Sequence, residues 1–307
     1  MARCLVIGGN GFVGSWLVDQ LVRDGHEVAV FDRFSAGIVY RSSSVRRVVG
    51  DFMNLANVRT ALAGQEYVFH FLSTTTPASA EDDPTLDVRT NIASSIELFQ
   101  LAVDAGVSGL YFASTGGAIY GDQPPGSITE EALPLPMSPY AIGKLAIEGY
   151  LRYFERKHGL SSVTFRISNP YGPRQRANKK QGVIPIFLHA ALEHEPLTQY
   201  GDGSMVRDFI YVEDAARMMA AVVGRNAQHR VYNIGSGLGH SVAEVIDVVR
   251  TVSGTAVEVV QLPTPSTYVD RIVLDTTRYT AEFGPSEFLS LDEGTRRTWA
   301  AMLESPS

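Results

Sequence analysis

The stretch Arg3-Cys4-Leu5-Val6-Ile7-Gly8-Gly9-Asn10-Gly11-Phe12-Val13-Gly14 decides the fold of this chain. Its apolar first half is typical of a buried strand, and it runs directly into glycines at positions 8, 11 and 14. Gly8 allows the chain to turn sharply, Gly11 lets the backbone approach a pyrophosphate, and Gly14 lets the next helix pack closely. Since the first amides of that helix would face the phosphates, the stretch predicts a dinucleotide site. Taken alone the spacing is a weak signal, because glycines after a strand also form plain turns.

The residues that follow strengthen this prediction and select the cofactor. Apolar residues at helical spacing after Gly11 lead to a second strand pattern, Glu27 to Phe31, which ends at Asp32. A carboxylate at Asp32 can accept hydrogen bonds from ribose hydroxyls, which favours NAD over NADP. Arg33 offers a partner for the 2′-phosphate of NADP, but Asp32 would repel that phosphate. We therefore predict NAD as the cofactor.

Strand patterns recur along the first half of the chain, and a segment of helical apolar spacing separates each from the next. They lie at Cys4 to Ile7, Val28 to Phe31, Tyr67 to Phe71, Leu110 to Ala113 and Val163 to Ile167. This alternation predicts an α/β fold with a Rossmann-type doubly wound parallel sheet, whose ligand crevice lies at the carboxyl ends of the strands. After position 170, prolines and the turn Gly201-Asp202-Gly203 interrupt the pattern, which indicates a smaller C-terminal α/β substrate lobe. The predicted division is an NAD-binding domain at 1–168, with returning segments near 209–235 and 272–276, and a mainly substrate-binding lobe at 169–307.

The composition excludes several function classes. The net charge is −7 and the pI is about 5.5, so nucleic acid and anionic membranes are not expected partners. The single cysteine excludes an intrachain disulfide and a cysteine metal cluster, and His189 and His194 have no carboxylate at metal-ligand spacing, so no metal is expected. No segment reads as a secretion leader or is apolar over the length of a membrane span, so we expect a cytoplasmic protein.

A second informative motif is Ser138-Pro139-Tyr140-Ala141-Ile142-Gly143-Lys144. Serine suits the N-cap of a helix and proline its first position, which puts Tyr140 and Lys144 four residues apart on one helix face. A nearby ammonium favours the phenolate form of a tyrosine, so this pair predicts a general base. The alternative is a surface tyrosine beside a solvated lysine.

With both motifs in place, the chain resembles the extended short-chain dehydrogenase/reductase family, in particular its nucleotide-sugar 4-epimerase and dehydratase branch. The resemblance covers nearly the whole length. Besides the glycines, Asp32, Tyr140 and Lys144, it rests on Gly50-Asp51, Asn91, Ile119-Tyr120-Gly121, Arg166, Asn169-Pro170-Tyr171-Gly172-Pro173-Arg174-Gln175, Gly201-Asp202-Gly203 and Arg207-Asp208-Phe209-Ile210-Tyr211-Val212-Glu213-Asp214.

The resemblance implies a role for individual residues. Asp51 would accept from the adenine amino group, Lys144 would also bridge the nicotinamide ribose hydroxyls, and Arg207 would bind the substrate diphosphate. Arg207 could instead pair with Glu213 or Asp214. The implied cofactor contacts are Gly8, Gly11, Phe12, Val13, Gly14, Asp32, Arg33, Asp51, Phe52, Leu72, Ser73, Asn91, Tyr140 and Lys144. The implied substrate contacts are Thr75, Asn169, Arg174, Tyr200, Arg207, Asp270 and Arg271.

Three positions depart from the family pattern. The family places a serine or threonine three residues before the Ile-Tyr-Gly triplet, where this chain has Gly116, so Thr115 or Ser114 is the candidate catalytic hydroxyl. Both hydroxyls could instead serve only the backbone of a glycine-rich turn. Dehydratases of the family carry Asp-Glu at Gly116-Gly117, so the glycines argue against elimination of water. Position 267 is Thr where related epimerases carry an arginine for the diphosphate, and Arg271 is the candidate substitute.

Together these observations predict an NAD-dependent nucleotide-sugar 4-epimerase that inverts C4 of a UDP-hexose through a 4-keto intermediate, with tightly held NAD. Alternatives are an NAD(P)H-dependent 4-keto-sugar reductase, a nucleotide-sugar dehydratase and, outside catalysis, an NAD-binding regulatory protein. The resemblance also implies a homodimer, since the helices after Phe99 and Ala141 carry apolar faces.

Overall fold

The computed structural model describes residues 1–35, 37–175, 182–265 and 268–304. Its strands, in chain order, are β1 Arg3–Ile7, β2 Glu27–Asp32, β3 Arg46–Val49, β4 Tyr67–His70, β5 Gly109–Thr115, β6 Ser162–Ile167, β7 Asn169–Tyr171, β8 Leu197–Tyr200, β9 Val206–Tyr211, β10 Val231–Ile234, β11 Gly239–Ser241, β12 Val259–Leu262 and β13 Arg271–Ile272. Its helices are α1 Phe12–Arg23, α2 Leu55–Leu62, α3 Pro77–Asp82, α4 Pro84–Asp87, α5 Ala93–Asp104, α6 Pro139–His158, α7 Val183–Glu193, α8 Val212–Ala220, α9 Val242–Ser253, α10 Thr277–Phe283 and α11 Leu291–Glu304. A π-helical turn, Val88–Ile92, joins α4 to α5.

A seven-stranded parallel sheet in the order β10-β6-β5-β4-β1-β2-β3 forms the centre of the molecule. Along β1, Cys4 and Val6 face one apolar core while Leu5 and Ile7 face the other. Helices α1 and α8 cover the first core, and α2, α5 and α6 cover the second. A strand buried on both faces needs apolar residues throughout, which is why the sequence shows continuous apolar runs. The predicted doubly wound parallel sheet is confirmed.

Five of the seven strands match the predicted strand patterns, β10 falls in the predicted returning segment near 209–235, and β3 was not predicted. Edge strand β3 contains Arg46 and Arg47 and is mostly exposed, so it lacks an apolar signal. The parallel order brings the carboxyl ends of β1, β2, β4, β5 and β6 to one edge, where the glycine turn, Asp32, the loop after β4, Thr115 and Ser168 follow.

A smaller set of elements lies after residue 168. Strand β9 pairs with β7, β11 and β13, β8 pairs with β12, and helices α7, α9 and α11 supply a third apolar core. Helix α8 and strand β10 return to the large sheet, whereas β13 pairs with β9. The division into an NAD-binding domain and a substrate lobe stays a prediction. Within the described residues, no helix combines the length and the hydropathy that a membrane crossing requires.

Candidate active site

The glycine turn after β1 packs tightly against neighbouring backbone, and the start of α1 has no capping side chain. Gly8 has φ +81°, and a Cβ atom there would lie 2.7 Å from the backbone nitrogen of Leu72. A Cβ atom on Gly14 would overlap the carbonyl oxygen of Gly8. Gly11 is the N-cap of α1 and offers no side-chain cap, so the first amides, at Phe12 and Val13, are not satisfied by a capping side chain. This cradle fits the pyrophosphate of a dinucleotide.

Asp32 lies directly beside this turn. Its Oδ2 accepts a 3.2 Å hydrogen bond from the Asn10 amide, and its Oδ1 accepts one of 2.8 Å from the Arg33 amide. Asn10 in turn donates to the Gly37 carbonyl and accepts from the Val39 amide, which ties the loop after β2 to the turn. A carboxylate next to the cradle fits ribose hydroxyls and opposes a 2′-phosphate.

The other predicted cofactor residues lie after β3 and β4. Asp51 is exposed, and its Oδ1 accepts a 2.9 Å hydrogen bond from the Met53 amide. Phe52 is buried in the apolar core that α2, α5 and α6 cover. Leu72 packs under Gly8, and the Ser73 hydroxyl donates to the Thr75 carbonyl at 2.8 Å. Their cofactor contacts stay predictions.

Tyr140 and Lys144 lie in the first turns of α6. The Ser138 hydroxyl accepts from the Ala141 amide at 3.3 Å, so the predicted N-cap sets where the helix begins. Lys144 Nζ donates a 2.8 Å hydrogen bond to the Ala113 carbonyl on β5 and lies 5.7 Å from the centre of the Tyr140 ring. This places the ammonium between the sheet and the phenol.

Burial shifts both groups away from their ordinary titration range. Loss of solvation, followed by the Asp87 charge, raises the pKa of Tyr140 to about 12. Loss of solvation lowers the pKa of Lys144 to about 8, against the opposing charges of Asp87 and Glu148. Neutral tyrosine and cationic lysine are therefore the forms present near pH 7.

The two candidate hydroxyls on β5 have different surroundings. The Ser114 hydroxyl donates a 2.6 Å hydrogen bond to Glu148, which also pairs with Arg166 at 2.8 Å. The Thr115 hydroxyl makes no hydrogen bond within the described part of the chain. At Gly116, a Cβ atom would lie 2.5 Å from Leu274 Cδ1 and 2.8 Å from the Arg166 carbonyl oxygen, so there is no room for a side chain.

Several predicted substrate residues gather around β7, β9 and β13. The Asn169 side chain donates to the Asp208 carbonyl at 3.0 Å and lies against Gly117. Arg207 Nη1 donates to the carbonyls of Val206 and Asp270 at 2.9 and 3.4 Å, and burial lowers the pKa of Arg207. Glu213 and Asp214, its alternative partners, pair instead with Arg23 and Arg217. Asp270 and Arg271 are exposed, Tyr200 packs edge to face with Tyr268 at 5.5 Å, and position 267 lies outside the described residues.

Arg174 lies against α1. Its guanidinium pairs with Asp19 at 2.7 Å, stacks on the Trp16 ring at 4.1 Å and donates to the Ser15 hydroxyl at 3.3 Å. Asp19 also accepts from the amides of Arg41 and Ser42. The substrate contact of Arg174 stays a prediction, and the structure gives the residue a role in joining three segments.

Thr75 and Asn91 belong to one hydrogen-bond network. The Asn91 amide donates to Thr75 Oγ1 at 2.8 Å and to Asp87 at 2.7 Å, and its Oδ1 accepts from the Thr74 amide at 2.9 Å. Thr75 Oγ1 donates to Asp87 at 2.5 Å. These bonds tie the loop after β4 to α4 and to the π-helical turn.

This geometry agrees with a comparison of the sequence with protein families. The model of the NAD dependent epimerase/dehydratase family matches residues 4–235. The chain belongs to this family. Membership confirms the predicted NAD cofactor, for which the glycine cradle and Asp32 provide a fitting site.

Individual members of the family resemble the chain over almost its full length. The UDP-glucose 4-epimerase of Mycolicibacterium smegmatis is 32% identical, with 96% of this chain and 97% of that protein covered. The structure of the UDP-glucose 4-epimerase of Thermotoga maritima with UDP-glucose superposes with a TM-score of 0.93 at 33% identity, covering 99% and 100% of the two chains. A dTDP-glucose 4,6-dehydratase of Streptomyces venezuelae, with NAD bound, has a TM-score of 0.90 at 29% identity, covering 99% and 97%. The family therefore includes more than one reaction on this fold.

Sequence reasoning missed three buried acids near the site. Glu148 accepts a hydrogen bond from Ser114 and pairs with Arg166. Asp19 pairs with Arg174. Asp87 accepts hydrogen bonds from Thr75 and Asn91. Glu148 stands four residues after Lys144 on α6, and Asp87 stands four residues before Asn91, so helical spacing was the signal available for both.

Proposed function

We propose that this chain is a nucleotide-sugar 4-epimerase that inverts C4 of a UDP-hexose through a 4-keto intermediate. The observation that carries the proposal is the pairing of Lys144 with Tyr140 and with the Ala113 carbonyl near the carboxyl end of β5, two residues before Thr115 ends that strand. The two UDP-glucose 4-epimerases compared above support both the reaction and the substrate class.

Each of these residues has a part in moving one proton. Bound NAD supplies reversible two-electron oxidation and reduction of the sugar carbon. In its phenolate form, Tyr140 takes the proton of the 4-hydroxyl as the 4-keto sugar forms, and it returns that proton to the same oxygen when the keto group is reduced on its other face. The Lys144 ammonium lowers the cost of the phenolate, which burial otherwise makes high. The Thr115 hydroxyl donates a hydrogen bond to the same sugar oxygen.

The glycines after Thr115 oppose the dehydratase alternative. Elimination of water across C5 and C6 needs an acid and a base, and Gly116-Gly117 provides neither. The crowding of Gly116 by Leu274 and by the Arg166 carbonyl also leaves no space for a carboxylate at that position. This supports inversion over elimination.

We assign the diphosphate to Asn169 and Arg207, and we assign the sugar and nucleotide to the surface formed by the elements after residue 168. Tyr200 and its neighbour Tyr268 offer an aromatic surface for a uracil ring. Thr75, Arg174, Asp270 and Arg271 complete the proposed set of substrate contacts. In this assignment the large sheet with α1 binds NAD, and the smaller lobe binds the substrate.

We also propose that two copies of the chain associate through α6 and its neighbour α5. Three large apolar side chains on α6 are strongly exposed: Ile142, Tyr150 and Tyr153 have 53%, 40% and 47% of their surface accessible. Light scattering at micromolar concentration is expected to give twice the 33.4 kDa chain mass. A monomer would contradict the proposed dimer and would leave the proposed reaction unaffected.

The reaction is tested by incubating the NAD-loaded protein with a panel of UDP and dTDP sugars and following C4 inversion by proton NMR. We expect interconversion of a UDP-hexose pair with no net change in NAD, and at least about a 100-fold loss in Tyr140→Phe. Turnover that consumes NADPH, with no interconversion of any pair, would replace the epimerase by a 4-keto-sugar reductase. Loss of a 6-hydroxyl from the sugar would indicate a dehydratase.

A further inference from the structure

Asp87 is a buried carboxylate that the proposed mechanism does not yet use. It ends α4, and 3% of its surface is exposed. Its Oδ1 accepts hydrogen bonds from Thr75 Oγ1 at 2.5 Å and from Asn91 Nδ2 at 2.7 Å. A buried charge is costly unless it is hydrogen-bonded or lies near an opposite charge. Two neutral donors on one oxygen satisfy half of this carboxylate.

The second oxygen of Asp87 faces α6 between the two proposed catalytic side chains. Oδ2 lies so close to Gly143 that a Cβ atom on that residue would overlap it. Gly143 precedes Lys144 and lies on the same helix face as Tyr140, and all four residues line one small cavity. Glycine at 143 is therefore what admits the carboxylate to this face.

The other titratable groups around Lys144 leave Asp87 as its main counter-charge. On α6, Glu148 is held by Arg166 at 2.8 Å and by Ser114, and Tyr140 is neutral. On β4, burial keeps His70 neutral, with its pKa lowered to about 3. Asp87 makes no ion pair with an arginine or lysine of the described residues, so no other cation takes up its charge.

We propose that Asp87 is a positioning residue whose buried carboxylate holds Lys144 in the ammonium form on which Tyr140 depends. The inference rests on the proposed roles of Tyr140 and Lys144. Thr75 and Asn91 orient the carboxylate, Gly143 gives it room, and its charge acts on Lys144 through the shared cavity.

At Lys144 the electrostatics agree in sign with this arrangement, whereas the same Asp87 charge acts directly against the phenolate by raising the pKa of Tyr140. Burial already lowers the pKa of Lys144 to about 8, and Asp87 is the larger of the two charges that oppose the fall. Without that carboxylate the lysine would lose its proton at lower pH. A neutral lysine no longer stabilises the phenolate, so catalysis would fail at the alkaline side first.

Lysine titration by NMR tests the proposal directly, without reference to turnover. The chain has only four lysines, at 144, 157, 179 and 180, so protein labelled with ¹³Cε-lysine gives few signals, and Lys144→Met assigns the one of interest. Asp87→Asn keeps an oxygen to accept from Thr75 and Asn91 and removes the charge. In the NAD-loaded protein, we expect the Lys144 midpoint to fall by about one pH unit or more. The matched control Asp104→Asn, which neutralises an exposed carboxylate at the end of α5, leaves the midpoint unchanged.

A second variant keeps the charge and moves it. Gly143→Ala pushes the Asp87 carboxylate away from α6, so it also lowers the Lys144 midpoint. In both variants, the alkaline limb of the kcat profile moves to lower pH while KM changes little, which a purely structural role would not produce.

An unchanged Lys144 midpoint in folded Asp87→Asn overturns the proposal. If neither variant folds, the wild-type titration decides, because a Lys144 that is already neutral at pH 7 contradicts a working counter-charge and one charged there supports it. Absence of C4 inversion in the wild type would refute the proposed function and leave the titration result readable.

Discussion

The Ser114 hydroxyl donates a 2.6 Å hydrogen bond to the Glu148 carboxylate, which also pairs with Arg166 in a buried cluster. Arg166 continues the cluster by donating to the Tyr120 hydroxyl at 3.1 Å. Ser114 therefore belongs to the support of α6 and β6, and we propose the adjacent Thr115 as the hydroxyl that contacts the substrate. The two neighbours on one strand are expected to respond differently to removal of their hydroxyls.

Thr115→Val removes the hydroxyl and keeps the shape of the side chain. We expect kcat to fall by about 100-fold or more, since a donor aimed at the reacting oxygen is lost, with the urea unfolding midpoint nearly unchanged. Ser114→Ala is the matched control, because it leaves Glu148 short of one donor and lowers the free energy of unfolding by about 1–3 kcal/mol with kcat within a few-fold. The reverse pattern would assign the catalytic hydroxyl to Ser114.

Gly116→Ser restores the hydroxyl that the family places at this position. We expect it to destabilise the protein by about 1–3 kcal/mol, because the new Cβ atom meets Leu274 and the Arg166 carbonyl at 2.5 and 2.8 Å. Gly117→Ser is the control, since its Cβ atom would meet only the Asn169 side chain, at 3.2 Å or more, and the Ser168 carbonyl at 3.5 Å. Urea unfolding measures both, and a Gly116→Ser variant as stable as the wild type with higher kcat would contradict the crowding.

His70 links the stability of the protein to acid pH. Burial lowers its pKa from 6.5 to about 3, and its Nε2 lies 2.8 Å from the Ser95 hydroxyl. In the unfolded chain His70 binds a proton as the pH falls below about 6.5, whereas in the folded chain it stays neutral until about pH 3. The contribution of the buried neutral ring to the free energy of unfolding is therefore complete above pH 6.5 and is lost as the pH falls toward 3. We expect the slope of unfolding free energy against pH to decrease by up to about 1.4 kcal/mol per unit in His70→Gln. The exposed His158→Gln should keep the wild-type slope, and equal slopes in all three proteins would contradict a buried neutral His70.

Arg174 and Asp19 form a pair whose side chains are 9% and 10% exposed. Removing one partner leaves a buried charge, so Arg174→Met and Asp19→Asn are each expected to cost about 3–5 kcal/mol. The double variant should cost clearly less than the sum, because no unpaired charge remains. Additive losses in urea unfolding would show that the two residues do not depend on each other.

The sequence was most informative where one short segment determines a local structure. The apolar run ending in Gly8 predicted β1 and its turn, and Ser138 with Pro139 predicted the start of α6, because strand burial and helix capping are local effects. Edge strand β3 escaped prediction since Arg46 and Arg47 give it no apolar pattern.

Contacts between distant segments could not be predicted in this way. Asp19 lies 155 positions before Arg174, and Glu148 lies 34 positions after Ser114, so neither partner was visible from spacing. The crowding at Gly116 likewise comes from Leu274, far along the chain. Such pairs depend on the order of the strands in the sheet, and that order cannot be predicted from a single sequence.

In the proposed reaction, one hydrogen leaves C4 of a sugar and returns to the same carbon on its other face. The most direct measurement follows deuterium in a UDP-hexose labelled at C4, incubated with a catalytic amount of the NAD-loaded protein. We expect an inverted UDP-hexose that retains deuterium at C4, with no accumulation of NADH. A product that has lost the deuterium to solvent, or a substrate that is never inverted, would contradict it.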